Sequence, residues 1–136
     1  MDGDTIDVVS DGRRVRVRLI GIDTPEVYDG PKLNRDARRS GRSREAIKAL
    51  GRLSSAFTRV HLLGERIALE LDMETFDRYR RLLAYVWMED GTLFNMIAVR
   101  EGYAFVSTYP PNVKYAEVFL ACQREAREGE RGLWGR

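Results

Sequence analysis

The sequence is poor in the side chains that most zinc enzymes and covalent hydrolases use. It has one cysteine, Cys122, and one histidine, His61, among 136 residues. One thiol cannot form an internal disulfide or a thiolate zinc site, and one histidine is too few for the usual zinc-hydrolase or Ser-His chemistry. We expect Cys122 to be a core residue on an apolar helical face and His61 to be structural or solvated.

Long apolar runs and a strong overall charge are also missing. No apolar stretch in the sequence approaches the roughly 20 residues that cross a bilayer, and no signal peptide is visible. We therefore expect no membrane partner. Localisation stays open, because a leader for secretion or for export to the periplasm could precede the sequence given. The net charge is only +2, and 43% of the residues are hydrophobic, which is typical of one compact domain.

Basic residues are concentrated in one segment of the chain. Between residues 29 and 44, six basic residues against two acidic ones give a net charge of +4, the basic ones being Lys32, Arg35, Arg38, Arg39, Arg42 and Arg44. Residues 27–43 show no apolar periodicity and contain glycine, proline, asparagine and serine, which predicts a long basic loop. Such a segment suits a phosphate-rich partner, and a merely solvated loop is the alternative.

Periodicity predicts short strands mixed with helices. The predicted strands span residues 5–10, 13–20, 66–71 and 82–88, and the predicted helices span residues 44–63, 95–101 and 113–128. Asp11-Gly12 predicts a hairpin between the first two strands. Gly51 could break the first helix, and Asn112 is a candidate N-cap for the last one. This order predicts an α+β domain, for which the five-stranded OB-fold barrel is a candidate topology.

Three acidic residues and several arginines carry the functional signal. Asp4 follows a glycine at a strand entry, and Asp23 and Glu26 flank Thr24-Pro25. Two carboxylates with a backbone carbonyl suit a hard cation such as Ca²⁺, and a third carboxylate could orient or deprotonate a water. Guanidinium groups remain charged and grip phosphate oxygens in pairs, and the candidates are Arg18, Arg78, Arg80 and Arg81. Taken singly, each acid could be a turn residue or a surface charge.

Taken together, these segments closely resemble the staphylococcal nuclease (thermonuclease) family. The resemblance rests on Asp-Gly-Asp-Thr at 2–5, Arg18-Leu-Ile-Gly-Ile-Asp-Thr-Pro-Glu26, Asp77-Arg-Tyr-Arg-Arg81 and Leu83-Ala-Tyr-Val. Spacing and element order agree along nearly the whole chain, and Gly132-Leu133-Trp134 is similar to the family's C-terminal end. The resemblance implies an α+β fold in one domain over residues 1–136, a five-stranded OB-fold Greek-key barrel with three helices.

The resemblance also implies a calcium-dependent, sugar-nonspecific nuclease that displaces the 5′-oxygen and leaves 3′-phosphate ends. By motif position, the implied calcium ligands are Asp4, Asp23 and the backbone carbonyl of Thr24. The implied catalytic residues are Arg18 and Arg81, which would hold the scissile phosphate, and Glu26, which would act on the attacking water. The implied substrate contacts are Arg78, Tyr79 and Tyr109. The expected partners are single-stranded or unpaired DNA and RNA, bound by a monomer.

The sequence departs from the family pattern at several places. Arg80 stands where the family usually has glycine, and Ser107 replaces a tyrosine near the substrate. The segment after Glu26 is longer and more basic. The first family strand is largely absent before Asp2, so we expect it upstream or replaced by another segment. The alternative function is a catalytically silent OB-fold module that binds nucleic acid or protein, and such a module would be expected to lose site carboxylates or arginines.

Overall fold

A computed structural model describes residues 2–135 of the chain. Within that range it contains six strands, four α-helices and one short 3₁₀ helix. The strands are β1 (Thr5–Ser10), β2 (Arg13–Leu19), β3 (Ile22–Asp23), β4 (Ile67–Glu70), β5 (Leu82–Met88) and β6 (Phe105–Val106). The helices are α1 (Pro31–Ser40), α2 (Arg44–Leu62), α3 (Phe94–Arg100) and α4 (Ala116–Glu128), and the 3₁₀ helix spans Gly132–Trp134.

The strands form one curled four-stranded sheet in the order β1-β2-β5-β4 and a small sheet of β3 with β6. Strand β2 runs parallel to β5, and the other pairs are antiparallel. Arg18 lies between two neighbours, since it pairs with Thr5 on β1 and with Leu83 on β5. The architecture confirms the predicted α+β class and the OB-fold kind of barrel, with six short strands instead of five and four helices instead of three.

The predicted hairpin of β1 and β2 is confirmed. Asp11 and Gly12 both have positive φ angles, 51° and 76°, as a tight two-residue hairpin turn requires. Along β2 the apolar residues Val17 and Leu19 are buried, whereas Arg16, which precedes Val17, is exposed. The alternation of the sequence therefore gives the strand one face toward the core.

The predicted loop over residues 27–43 is wrong in its central part, because residues 31–40 form helix α1. Pro31 occupies the first turn, where a missing N–H costs nothing, and Gly41 ends the helix with a φ of 72°. The buried side chains of α1 are Leu33 and Asp36. One apolar and one charged residue do not make an apolar stripe, so periodicity could not reveal this helix.

Helix α2 runs without a break through Gly51. Its N-cap is Ser43, whose hydroxyl accepts the N–H of Ala46 at 3.1 Å. At Gly51 an added Cβ would lie 2.6 Å from Cγ1 of Val27 and 2.7 Å from the carbonyl oxygen of Pro25. The glycine thus lets the segment that follows β3 pack directly on the helix.

The predicted N-cap role of Asn112 is wrong, because α4 begins only at Ala116. Asn112 is buried, and its side chain accepts the N–H of Glu74 and donates to the carbonyl oxygen of Glu74, both at 2.8 Å. The residue therefore fastens the turn at residues 109–112, which includes a cis Pro110–Pro111 bond, to the segment that precedes β5.

The core consists of two hydrophobic clusters. The larger joins β2, β5, α3 and α4, and its largest buried side chains are Tyr85, Phe94 and Phe119. The smaller joins α1, α2 and β6 through Leu33, Ile47, Leu50, Phe105 and Leu133. Cys122 is buried in the larger cluster, which confirms its predicted place in the core. Nδ1 of His61 lies 2.8 Å from the carbonyl oxygen of Phe57. Among residues 2–135, no helix is both long and apolar enough to cross a bilayer.

Candidate active site

Strand pairing brings the first two sequence motifs together. Thr5 pairs with Arg18, and the N–H of Leu19 donates to the carbonyl oxygen of Asp4 at 2.9 Å. Nη2 of Arg18 lies 3.4 Å from Oδ2 of Asp4 and 3.7 Å from Oδ1 of Asp23. The two aspartates and Arg18 therefore form one cluster, which we call the acid cluster.

The guanidinium of Arg18 is fixed in place by the backbone. Its Nη1 donates to the carbonyl oxygens of Leu19 at 2.7 Å and Ile22 at 2.9 Å. The side chain is 18% exposed. A cationic fork held in advance by two carbonyls requires little rearrangement when an anion arrives.

The segment after β3 carries two further predicted site residues. The N–H of Thr24 donates to Oδ2 of Asp4 at 3.0 Å, which ties this segment to the acid cluster. Oγ1 of Thr24 is buried and has no hydrogen-bond partner among residues 2–135, an uncommon situation for a hydroxyl. Oε1 of Glu26 accepts the N–H groups of Val27 at 2.8 Å and Tyr28 at 3.1 Å, so the carboxylate is held by its own loop.

Helix α1 adds charged residues that the sequence analysis did not assign to the site. Lys32, Asp36 and Arg39 are spaced by four and three positions, so they share one helical face. Nζ of Lys32 donates to the carbonyl oxygen of Thr24 at 2.9 Å and to Oδ2 of Asp36 at 2.8 Å, and it lies 3.5 Å from Oδ1 of Asp23. The proline and glycine that bound α1, combined with this spacing, were the available sequence signal.

Arg39 completes the contact between α1 and the acid cluster. Its Nη2 donates to Oδ2 of Asp23 at 2.7 Å and to Oδ1 of Asp36 at 3.2 Å, while its guanidinium carbon lies 3.6 Å from the ring centre of Phe105. Asp36 is fully buried and also accepts the N–H of Glu26 at 3.0 Å. This buried carboxylate therefore anchors two cations and the backbone that carries Glu26.

The electrostatics agree with two crowded carboxylates. Burial raises the pKa of the Asp23 carboxyl, and the charge of Asp4 acts in the same direction, while Lys32, Arg18 and Arg39 act against them. The Asp23 carboxyl is therefore held close to other charges in a partly buried position.

The chemical types of the oxygen ligands in the acid cluster suit a hard cation. They are the carboxylates of Asp4 and Asp23 and the carbonyl of Thr24, beside the buried hydroxyl that lacks a partner. Among the described residues, however, no three acidic, histidine or cysteine side chains converge into a preformed metal site. Lys32 instead joins two of the three donors, because its ammonium contacts both Thr24 and Asp23.

The second arginine motif forms a tight turn before β5. Oδ1 of Asp77 accepts the N–H groups of Tyr79 at 2.8 Å and Arg81 at 2.9 Å, and Oδ2 accepts Nε of Arg81 at 2.7 Å. Arg81 directly precedes β5, whose Leu83 pairs with Arg18. Arg81 therefore lies two residues before the position of β5 that pairs with Arg18.

The predicted substrate-contacting residues lie in two surface turns rather than in the acid cluster. Tyr79 is 64% exposed, and the guanidinium carbon of Arg78 lies 5.0 Å from its ring centre. Tyr109 is 74% exposed and belongs to the turn that Asn112 fastens beside the segment leading into β5. Both tyrosines are available to a large partner.

Comparison with known proteins agrees with this geometry. A sequence model of the family described as "Staphylococcal nuclease homologue" matches residues 16–136. The chain is 39% identical over 136 residues to the thermonuclease of Staphylococcus intermedius, which covers 100% of this chain and 73% of that protein. It is 35% identical over 134 residues to the thermonuclease of Staphylococcus hyicus, covering 98% and 71% respectively. It is 30% identical over 138 residues to Endonuclease YncB of Bacillus subtilis (strain 168), covering 100% of this chain and 59% of that protein.

These matches include the segments that hold Arg18, Asp23 and Glu26, and the pairing of β1 with β2 places Arg18 beside Asp4. The family match and the extent of the shared sequence therefore agree with the OB-fold architecture, and the chain belongs to the staphylococcal nuclease homologue family.

Proposed function

We propose that this protein is a calcium-dependent, sugar-nonspecific nuclease that hydrolyses phosphodiester bonds of DNA and RNA and leaves 3′-phosphate ends. Family membership and relatives named thermonuclease and endonuclease support the assignment of a nuclease activity, which is a hydrolase activity. The observation that carries the proposal is the cluster of Arg18 with Asp4 and Asp23, to which Thr24 binds through its backbone.

The calcium ligands in this proposal are Asp4, Asp23 and the carbonyl oxygen of Thr24. When bound, Ca²⁺ supplies positive charge that offsets the charge of a phosphodiester, and it tolerates the irregular oxygen shells that two carboxylates and a carbonyl provide. The donor types and the unpartnered hydroxyl of Thr24 support this assignment.

Arg18 and Arg81 hold the scissile phosphate in the proposed mechanism. Negative charge grows on the phosphate oxygens as the reaction proceeds, and guanidinium groups stabilise it without giving up a proton. The fixed position of Arg18 on two carbonyls and of Arg81 on Asp77 supports this role.

Glu26 accepts a proton from the water that attacks the phosphorus. The new P–O bond forms as the bond to the 5′-oxygen breaks, the leaving oxygen takes a proton from solvent, and the phosphate stays on the 3′-oxygen. A carboxylate can perform this proton transfer if it lies within hydrogen-bond reach of the water. The two backbone N–H groups that hold Oε1 support a fixed orientation for Glu26.

Contacts outside the reacting centre set the substrate class. We assign Arg78 and Tyr79 to a neighbouring phosphate and Tyr109 to stacking on a base. Stacking on a base favours single-stranded or unpaired DNA and RNA as substrates, and we propose that a monomer binds them. Exposed rings stack on any base, so this arrangement predicts little sequence preference.

The rival function is a catalytically silent OB-fold module, which the presence of all five carboxylate and arginine residues of the reacting centre disfavours.

Cleavage of single-stranded DNA with and without Ca²⁺, with end-group analysis of the products, tests the function. The proposal predicts efficient cleavage with Ca²⁺, little turnover with Mg²⁺ and none without metal, and the products should carry 3′-phosphate ends. Mg²⁺ should be poor because it requires a regular octahedron and loses water reluctantly. Full activity in a chelator would disprove calcium dependence, and binding without cleavage under every condition would favour the silent module.

Two single substitutions separate the roles of Arg18 and Glu26. Arg18→Lys keeps the charge but loses the planar fork, and we expect a loss of turnover on the order of a hundredfold with little change in substrate binding. Glu26→Gln keeps size but cannot accept a proton, and we expect a loss of roughly a hundredfold to ten-thousandfold with calcium affinity preserved. Single-turnover rates and calcium titrations measure both effects, and near-normal turnover removes the substituted residue from the mechanism.

A further inference from the structure

The ammonium of Lys32 lies among the oxygens proposed for calcium. Its Nζ is 2.9 Å from the carbonyl oxygen of Thr24 and 3.5 Å from Oδ1 of Asp23. A metal ion held by the same two oxygens would bring its charge next to the ammonium, so Lys32 and a divalent cation would compete for these oxygens.

Charge balance around this position supports competition. The acid cluster and α1 together contain three carboxylates and three cations within ion-pair distance, namely Asp4, Asp23 and Asp36 with Arg18, Lys32 and Arg39. Lys32 and Arg39 already pair with Asp23, so a divalent ion would add two positive charges next to theirs. Asp2 adds negative charge near Asp4 and Lys32. Since the site is half-buried or more, repulsion between the ion and a nearby ammonium is only partly screened.

The ammonium of Lys32 can keep a second partner, Asp36, when it moves away from Thr24 and Asp23. Its Nζ donates to Oδ2 of Asp36 at 2.8 Å, and Asp36 is fully buried and is not one of the proposed calcium ligands. The lysine stem is long, and the side chain is 30% exposed, so a shift away from Thr24 can retain the Asp36 contact.

We propose that Lys32 is a built-in competitor of the metal, whose ammonium binds Thr24 and Asp23 when calcium is absent and must leave them before calcium binds. The inference rests on the proposed function, because it takes these two residues as calcium ligands. It makes Lys32 and helix α1 a determinant of metal affinity that the sequence motif does not include.

Calorimetric titration of Ca²⁺ into substrate-free protein tests the inference without using activity. Lys32→Gln removes the competing charge, and we expect its dissociation constant for Ca²⁺ to fall on the order of tenfold or more relative to the unsubstituted chain. Lys48→Gln is the matched control, because Lys48 is also an ion-paired lysine but binds Asp29 at 2.8 Å. We expect the control to change the constant little.

A second variant guards against a folding defect in Lys32→Gln, which leaves Asp36 with one cation fewer. The double substitution Lys32→Gln with Asp36→Asn removes the ammonium and its buried counter-charge together, and we expect the same tightening of calcium binding. Equal or weaker affinity in the folded variants, with measurable binding by the unsubstituted chain, overturns the competition and leaves the proposed calcium site standing. No binding by any of the proteins overturns both the competition and calcium dependence.

Discussion

At the scale of single residues, Arg80 shows how a side chain can occupy a backbone position suited to glycine. Arg80 has a φ of 64°, in the left-handed region, inside the turn that Asp77 closes before β5. The family resemblance of residues 77–81 implies glycine at this position. The structure supplies the reason, because a residue with a Cβ is strained in this conformation.

Arg80→Gly should therefore stabilise the protein. Relief of the left-handed strain is worth about 1 kcal/mol, reduced somewhat by the greater freedom of glycine in the unfolded chain. Urea unfolding measures the change in the free energy of unfolding. Arg78→Gly is the control, since it removes the same charge from the same turn at a residue without a positive φ, and we expect it to be destabilising. Equal effects of the two substitutions would rule out backbone strain as the cause.

At the scale of secondary-structure elements, α1 and α2 differ in how far the sequence reveals them. Helix α2 has a serine cap and six buried residues, and its predicted bounds of 44–63 nearly match the observed Arg44–Leu62. Helix α1 buries one apolar residue, Leu33, and docks through the ion pairs of Lys32 and Arg39 with Asp23, which lies outside the helix. Those ion pairs depend on where β3 places Asp23, and the local sequence of α1 does not predict that position.

Gly51 links α2 to the active-site segment, and its replacement tests that link. In an isolated helix, Gly51→Ala would gain about 1 kcal/mol. Here we expect a loss of stability and of turnover, because the new Cβ would meet Val27 and the backbone of Pro25 at less than 3 Å and displace the segment that carries Glu26. Thermal melts and cleavage rates measure the two effects.

Ala49→Gly provides the companion measurement for this element. Ala49 is exposed on the same helix, so its replacement reports helix propensity alone and should cost about 1 kcal/mol. A stabilised and fully active Gly51→Ala protein would show that the close approach of Pro25 to the helix is easily relieved and does not position Glu26.

At the scale of the whole molecule, Asp72 connects the end of the main sheet to the entry of α4. It accepts the hydroxyl of Tyr85 at 2.7 Å, the N–H of Met73 at 2.8 Å and the N–H of Lys114 at 3.2 Å. Although burial acts to raise it, these hydrogen bonds hold the pKa of Asp72 below its usual value of about 3.8. A carboxyl with a depressed pKa in the folded state stabilises the fold above the unfolded pKa, and that contribution is lost as pH falls through the folded value.

Asp72→Asn should therefore lower the melting temperature at pH 6 to 7, where the carboxylate is ionised. The difference from the unsubstituted chain should shrink as pH falls below about 3.8, because both proteins then lack the charge. Melting curves between pH 7 and pH 2.5 measure it. Glu89→Gln, at an exposed acid after β5, should change the melting temperature little. A difference that stays constant with pH would mean that Asp72 acts through shape and not through its charge.

The sequence by itself determined the elements whose signals are local and the identity of the motif residues. The Asp11-Gly12 hairpin, the strand 82–88 and the family relationship follow from spacing along the chain, which needs no knowledge of distant contacts. Only the tertiary structure decided that Lys32 reaches Thr24 and Asp23. That contact requires a polar helix to dock beside β3, with the buried carboxylate of Asp36 accepting Lys32 and the N–H of Glu26. The energy of such a network comes from partners that the fold, and not the local sequence, brings together.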